Sequence, residues 1–195
     1  MTFQLAKKYQ EKKTISRLKN KDKEVFIKVY DDFGDDIYRF VYFKVGGVEE
    51  AKDLTSMIFL KTWNHIQNNT LTSADTLRAL IYKIARTSIV DYYRETGSKL
   101  EISLDDEENP IDIPDEKRDI TADLDKNADL ERIKSKLPYL KEEYREIIVL
   151  KFINDLEIEE ISDVTGKSKG NVRVLLHRAL NALKDLVSEE EKTEL

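Results

Sequence analysis

The sequence predicts an all-α protein in which two small helical domains are joined by a flexible acidic linker. Three observations predict it. Apolar residues recur at three- and four-residue steps on both sides of the chain's middle, with no alternating strand pattern and no internal repeat. Between them, "GSKLEISLDDEENPIDIPDEKRDITADLDKNA" carries two of the three prolines, few large apolar side chains and no helical period. Near the C-terminus a short helical stretch, Gly166, Ser168 and a longer cationic stretch follow in the order of a helix-turn-helix.

Residues 1–24 form a lysine-rich extension, read as a solvated tail in preference to a DNA contact. The first domain, 25–96, opens with Phe26, Ile27, Tyr30, Phe33, Ile37, Phe40, Val41 and Phe43 at helical spacing. After Gly46-Gly47 come Leu54, Ile58, Phe59, Thr62 and Trp63 with a similar period. A third amphipathic stretch, from about Thr76 to Arg94, lines up Leu77, Leu80, Ile81, Ile84, Ala85, Ile89 and Tyr92, and the bundle is expected to end near Glu95.

Within the linker, 97–128, the stretch from Glu101 to Asp125 sets about eleven acids against only Lys117 and Arg118. The second domain, 129–188, begins with a short helix expected to stop before Pro138, because a residue preceding proline disfavours the helical conformation. A helix through Leu140, Tyr144, Ile147 and Ile148 follows, then the helix-turn-helix, and residues 189–195 form an acidic tail. In that motif Ser162, Gly166 and Val172 stand where two packed helices need close approach, a positive φ and an inward anchor. On a helical wheel Val172, Leu175, Leu176, Ala179 and Leu183 turn inward, while Lys167, Gly170, Asn171, Arg173, Val174, His177, Arg178 and Asn181 turn out. Such a face suits a major groove, with cations on phosphates, Asn171 on a base edge and an exposed Val174 on a thymine methyl.

Composition removes several function classes. Cysteine is absent and only His65 and His177 are present, so thiolate zinc sites, disulfides and Cys-His catalysis are excluded. Carboxylate pairs such as Asp35-Asp36 and Glu49-Glu50 come with no nucleophile, phosphate-cradling loop or metal spacing; no enzyme activity, cofactor or metal is expected. With neither a signal peptide nor a run of about 18 apolar residues, the chain is expected in the cytoplasm without membrane insertion. The net charge of -6 argues against DNA only as a sum; its distribution leaves one cationic helix.

Both halves resemble one family. The stretch "LPYLKEEYREIIVLKFINDLEIEEISDVTGKSKGNVRVLLHRALNAL" is similar to the C-terminal domain of bacterial RNA polymerase sigma factors of the two-domain extracytoplasmic-function group. Its landmarks include Leu137-Pro138, Tyr144-Arg145-Glu146, Glu160-Ile161, Gly166, Ser168, Val172 and His177-Arg178-Ala179. "FIKVYDDFGDDIYRFVYFKVGGVEEAKDLTSMIFLKTWNHI" resembles the polymerase-docking part of the family's first domain, and "LRALIYKIARTSIVDYYRE" its promoter-melting helix.

The resemblance implies a protein that binds core RNA polymerase and promoter DNA, with an anti-sigma factor as a candidate third partner. It implies reading of the upstream minus-35 element by Lys167, Ser168, Lys169, Asn171, Arg173, Val174, His177 and Arg178. Capture and holding of the opened minus-10 strand falls to Asn68, Asn69, Tyr82, Lys83, Arg86, Tyr92 and Arg94. Polymerase docking falls to the helix of Asp53, Leu54, Phe59, Lys61 and Trp63, with Phe59 and Trp63 expected in the core and Asp53 and its exposed neighbours at the interface, and the acidic linker would imitate nascent RNA in charge. Departures stand out: Ser56 and Met57 replace a usual glutamine and acid, Thr87 a common asparagine, and Leu175, Leu180, Asn181 and Ala182 occupy positions often basic. Fewer phosphate contacts predict weaker DNA binding and a shallower salt dependence. The alternative is a sigma-like interaction module without promoter selectivity.

Overall fold

A computed structural model describes residues 13–68, 77–97 and 135–193 of the protein. Every regular element among the described residues is helical, as expected of an all-α chain. The chain divides into two compact units, one up to Lys99 and one from Leu100 onward, apart from Asp163–Gly166, which cluster with the first.

The first unit starts where a tail was expected. Residues 13–19 form a helix, α1, that ends in a tight turn: the Lys21 and Asp22 amides donate to the carbonyls of Leu18 (3.0 Å) and Arg17 (3.1 Å), with Lys21 at φ 60°. This double bond with a left-handed residue is the usual way to satisfy a helix's last carbonyls. Leu18 is fully buried, and the Gln67 side-chain amide donates to its carbonyl, so this part of the extension is packed into the unit.

Asp22 then caps α2 (Lys23–Val45), its carboxylate accepting from the Val25 amide at 3.2 Å. Gly46, at φ 78°, ends the helix in a conformation that residues with a Cβ rarely adopt. α3 (Val48–Asn68) and α4 (Leu77–Thr96) complete the bundle. The buried phase of α2 differs from the expected stripe: Val25, Val29, Ile37, Phe40 and Val41 are inside, while Ile27 is 58% exposed. Phe26 and Tyr30 sit at the seam, their rings 4.8 Å from Trp63 and 4.7 Å from Phe59. A helix packed by neighbours on two sides buries a wide arc, so an aromatic-weighted reading of its period slips round by a residue.

Several polar groups of the bundle are paired within or between its helices. Thr55 and Thr62 donate to the carbonyls one turn back, Ala51 at 2.7 Å and Ile58 at 2.8 Å. Asp36 pairs with Arg39 on its own helix and lies 3.9 Å from Arg78 of α4. Lys61 of α3 donates to Ser88 of α4 at 3.1 Å and approaches Asp91 at 3.5 Å.

In the second unit α-helical winding ends at Lys136, as expected of a helix that stops before Pro138. The chain passes through the proline in a 3-10 turn, Leu137–Tyr139. Proline at the start of a helical turn gives up an amide that would have no partner there, so the turn tolerates it. α5 (Glu142–Ile148) runs into a π turn, Val149–Ile153, whose wider winding is closed by the Asn154 amide on Val149 at 2.9 Å. α6 (Ile158–Thr165) and α7 (Lys169–Thr193) follow, and α5 packs against α7 through a core that includes Ile147, Ile148, Val172, Ala179 and Leu183. Among the described residues no helix is long and apolar enough to cross a membrane.

Candidate nucleic-acid interface

The turn between α6 and α7 is built as its residue types require. Gly166 has φ +75°, open to glycine without strain, and the Ser162 hydroxyl donates to the Lys167 carbonyl at 2.7 Å across the corner. Ser168 then accepts the Asn171 amide at 3.2 Å, satisfying a donor at the start of α7. At the start of α6 the Glu160 carboxylate reaches back to the Glu157 amide at 2.9 Å, half of a capping box. Two caps and one glycine thus fix the direction in which α7 leaves the turn.

That helix is seated by Val172 and Ala179, both fully buried, and by Leu183. Gly170, Asn171, Arg173, His177 and Asn181 are exposed on the other side, with Asn181 and His177 3.3 Å apart. The wheel is therefore right in direction. It is too sharp at the flanks: Leu175, Leu176, Val174 and Arg178 are half-buried, so Val174 is not the fully exposed methyl contact expected. A helix resting on two neighbours grades from inside to outside over more than one residue.

Charge on this face is unevenly available. Lys169 pairs with Glu159 of α6 at 2.6 Å, and Lys167 with Glu143 of α5 at 2.9 Å. The Lys169 ammonium, by hydrogen bond and then by charge, holds the Glu159 carboxyl below its usual value. Among the described residues Arg173 has no carboxylate within ion-pair distance.

In the first unit the candidate minus-10 residues separate. Lys83, Arg86 and Tyr92 are half-buried and Arg94 is exposed at the end of α4, while Asn68 lies exposed at the end of α3, its amide donating to the Asn64 carbonyl at 2.9 Å. Asn69 lies outside the described residues. Tyr82 is corrected: its ring is fully buried, 5.3 Å from Phe40, and offers no surface for stacking a base. Burial, then the negative charge of Asp36, pushes its hydroxyl well above the usual phenol value.

A cleft of about 410 Å³ opens between α3 and α4, lined by Lys61, His65, Leu80, Lys83, Ile84, Thr87 and Ser88. Of its polar residues the sequence assigns only Lys83 to strand holding. The sequence gives Lys61 a docking role and His65 none, although both line the cleft on the α3 side that meets α4. An i, i+4 pair of cationic types on one helix was the available signal.

The docking set needs a similar correction at Leu54. Leu54 and Phe59 are core residues, at 5% and 1% exposure, and Trp63 is half-buried against Phe26. Asp53 and Lys61 are exposed, and between them Met57 and Leu60 are 50% and 60% exposed. Asp53, Met57, Leu60 and Lys61 stand at i, i+4, i+7 and i+8, one face of α3. Large apolar side chains left in water beside a carboxylate mark a surface that another protein can cover.

Comparison with known proteins gives two family matches in chain order. Residues 29–99 match Sigma-70 region 2, and residues 130–183 match Sigma-70, region 4. The chain is 27% identical over 177 residues to the ECF RNA polymerase sigma factor BldN of Streptomyces coelicolor, covering 90% of this chain and 65% of BldN. It is 29% identical over 180 residues to the ECF RNA polymerase sigma factor SigW of Bacillus subtilis, covering 89% and 94% of the two chains. To the RNA polymerase sigma factor SigV of the same organism it is 27% identical over 173 residues, covering 89% and 97%. It thus spans about two thirds of BldN and nearly all of SigV and SigW. The solved structure of CnrH, in complex with the cytosolic domain of CnrY, shares the fold at a TM-score of 0.67 and 18% identity, covering 92% of this chain and 97% of that one.

Proposed function

The chain belongs to the sigma-70 family, in the ECF group of RNA polymerase sigma factors, and from that premise we propose how its two domains divide promoter selection. It binds core RNA polymerase and directs promoter-specific initiation. Catalysis of RNA synthesis stays with the polymerase, in the cytoplasm where its template lies. The C-terminal domain reads the upstream element by laying α7 in the major groove. The observation that supports this is the outer face of that helix, where Asn171, Arg173 and His177 stand exposed above a seat of Val172, Ala179 and Leu183. Arg173 suits a guanine edge or a phosphate, and Asn171 an adenine edge. Ser168 caps the start of α7 by accepting the Asn171 amide, and the positive end of the helix dipole there favours a phosphate.

The first domain docks on polymerase through the Asp53, Met57, Leu60 and Lys61 face of α3 and holds the opened minus-10 strand along Asn68, Lys83, Arg86, Tyr92 and Arg94. The first domain takes in α1 as well as 25–96, and the second spans 129–188, with the acidic linker, 97–128, between them. An anti-sigma factor that covers these surfaces is the natural regulator of such a chain; CnrH, of the same fold, is known in complex with the cytosolic domain of CnrY. A module without promoter selectivity is not favoured, because both promoter-reading regions are matched.

Reconstitution with bacterial core polymerase, followed by selection of promoter DNA from a random library, tests the assignment. Holoenzyme should form and enrich one upstream motif, and Arg173→Ala and Arg178→Ala should erase that motif while holoenzyme still forms. Enrichment of the same motif by both variants would remove α7 from the reading role.

A further inference from the structure

The cations of the helix-turn-helix are not equally free to meet DNA. Lys167 and Lys169 stand at the entry to α7, where backbone amides and the helix dipole favour a phosphate. Each is already matched by a carboxylate from a different helix: Glu143 of α5 at 2.9 Å from Lys167, and Glu159 of α6 at 2.6 Å from Lys169. Both pairs are solvent-accessible, Lys169 and Glu159 the more so, and such pairs are individually weak. A weak pair can be exchanged. Bringing in a phosphate, however, means displacing the carboxylate and leaving its negative charge beside the DNA backbone.

Resting on the assignment of α7 to the upstream element, we infer that Glu143 and Glu159 are built-in competitors of the DNA backbone. They neutralise the two lysines at the entry to α7 and hold the free chain's affinity for duplex DNA low. Arg173, with no carboxylate in reach among the described residues, is left as the available cation of the reading face. Sequence-independent attraction is the part of DNA binding that phosphate contacts supply. Suppressing it at the helix entry makes binding depend on the groove contacts of Asn171 and Arg173 and on delivery of the domain by polymerase. The two acids come from separate elements, so the neutralisation does not follow from one helix's own charge pattern.

The experiment measures binding of the full-length chain, free of polymerase, to a random-sequence duplex and to the duplex that the reconstituted holoenzyme enriches, across a salt series. Glu143→Gln and Glu159→Gln keep side-chain size and leave the helix-turn-helix core untouched. Each should tighten binding to the random duplex about three- to fivefold and steepen the log K against log salt slope by about 0.9, the value for one added phosphate contact. Adding Lys169→Met to Glu159→Gln should cancel that gain, since the competition requires the lysine. Unchanged affinity in both glutamine variants overturns the inference, as does a gain that survives loss of Lys169. If the glutamine variants are silent while Arg173→Ala abolishes preference for the enriched duplex, the competition fails and the assignment of α7 stands. A preference indifferent to Arg173→Ala overturns the assignment and the competition with it.

Discussion

The two domains present their working surfaces in different ways. In the C-terminal domain the proposed reading face belongs to one helix, and its orientation is set by a cap, a glycine and a buried valine, all within seven residues, Gly166 to Val172. In the N-terminal domain three helices each bury a broad arc, and the residues left outside are those at the margins of two interfaces. A local motif can be read from spacing alone. A surface assembled from several helices depends on which neighbour claims each side of each helix.

The strongest test of the contrast falls on Leu18. If α1 is part of the first bundle, Leu18→Ala should remove about 2–5 kcal/mol from that domain's unfolding, the usual range for a buried leucine cut to alanine. The loss should appear in chemical denaturation as an earlier first transition, with the C-terminal transition unmoved. A solvated tail would show no change.

Leu60→Asp sharpens the comparison at the docking face. The side chain is largely in water, so stability should move by no more than about 0.5 kcal/mol. Core polymerase binding should weaken by at least tenfold, about 1.4 kcal/mol, in a pull-down titration. Selection by α7 should be unaffected once holoenzyme is forced to form. Full polymerase affinity in this variant would move the docking face elsewhere on the domain.

In the local motif the effects should be smaller. Ser168→Ala removes the cap of α7 and should lower the C-terminal domain's stability by about 1 kcal/mol, readable as a shift of its denaturation midpoint alone. The first domain should not register it.

The smallest effect at neutral pH belongs to Tyr82→Phe. Among the described residues no partner meets its buried hydroxyl in good hydrogen-bond geometry, although the Arg78 side chain lies beside it, so the variant should match the parent's stability closely near pH 7. The difference should grow with alkalinity. Above about pH 10 the unfolded chain releases the tyrosine proton that the folded chain retains, so stability present below that pH is lost as pH rises. Denaturation midpoints across that range should fall more steeply for the parent than for Tyr82→Phe; parallel curves would place the hydroxyl in water.

Much was legible in the sequence: the all-α class, the helix-turn-helix with Ser162, Gly166, Ser168 and Val172 in their roles, and the family resemblance of both halves. These rest on chemistry that acts within a few residues, such as a cap, a positive φ or a periodic stripe. Tertiary structure decided the rest. It drew Leu18 into the core and sent Tyr82 and Leu54 inward from surfaces they were expected to form. It also left Met57 and Leu60 in water, lined one cleft with Lys61, His65 and Lys83, and set Glu143 and Glu159 against the lysines of the reading helix. Such choices depend on which helices meet. Burial and charge pairing are properties of the space between elements, and the residues that share that space are far apart in the chain.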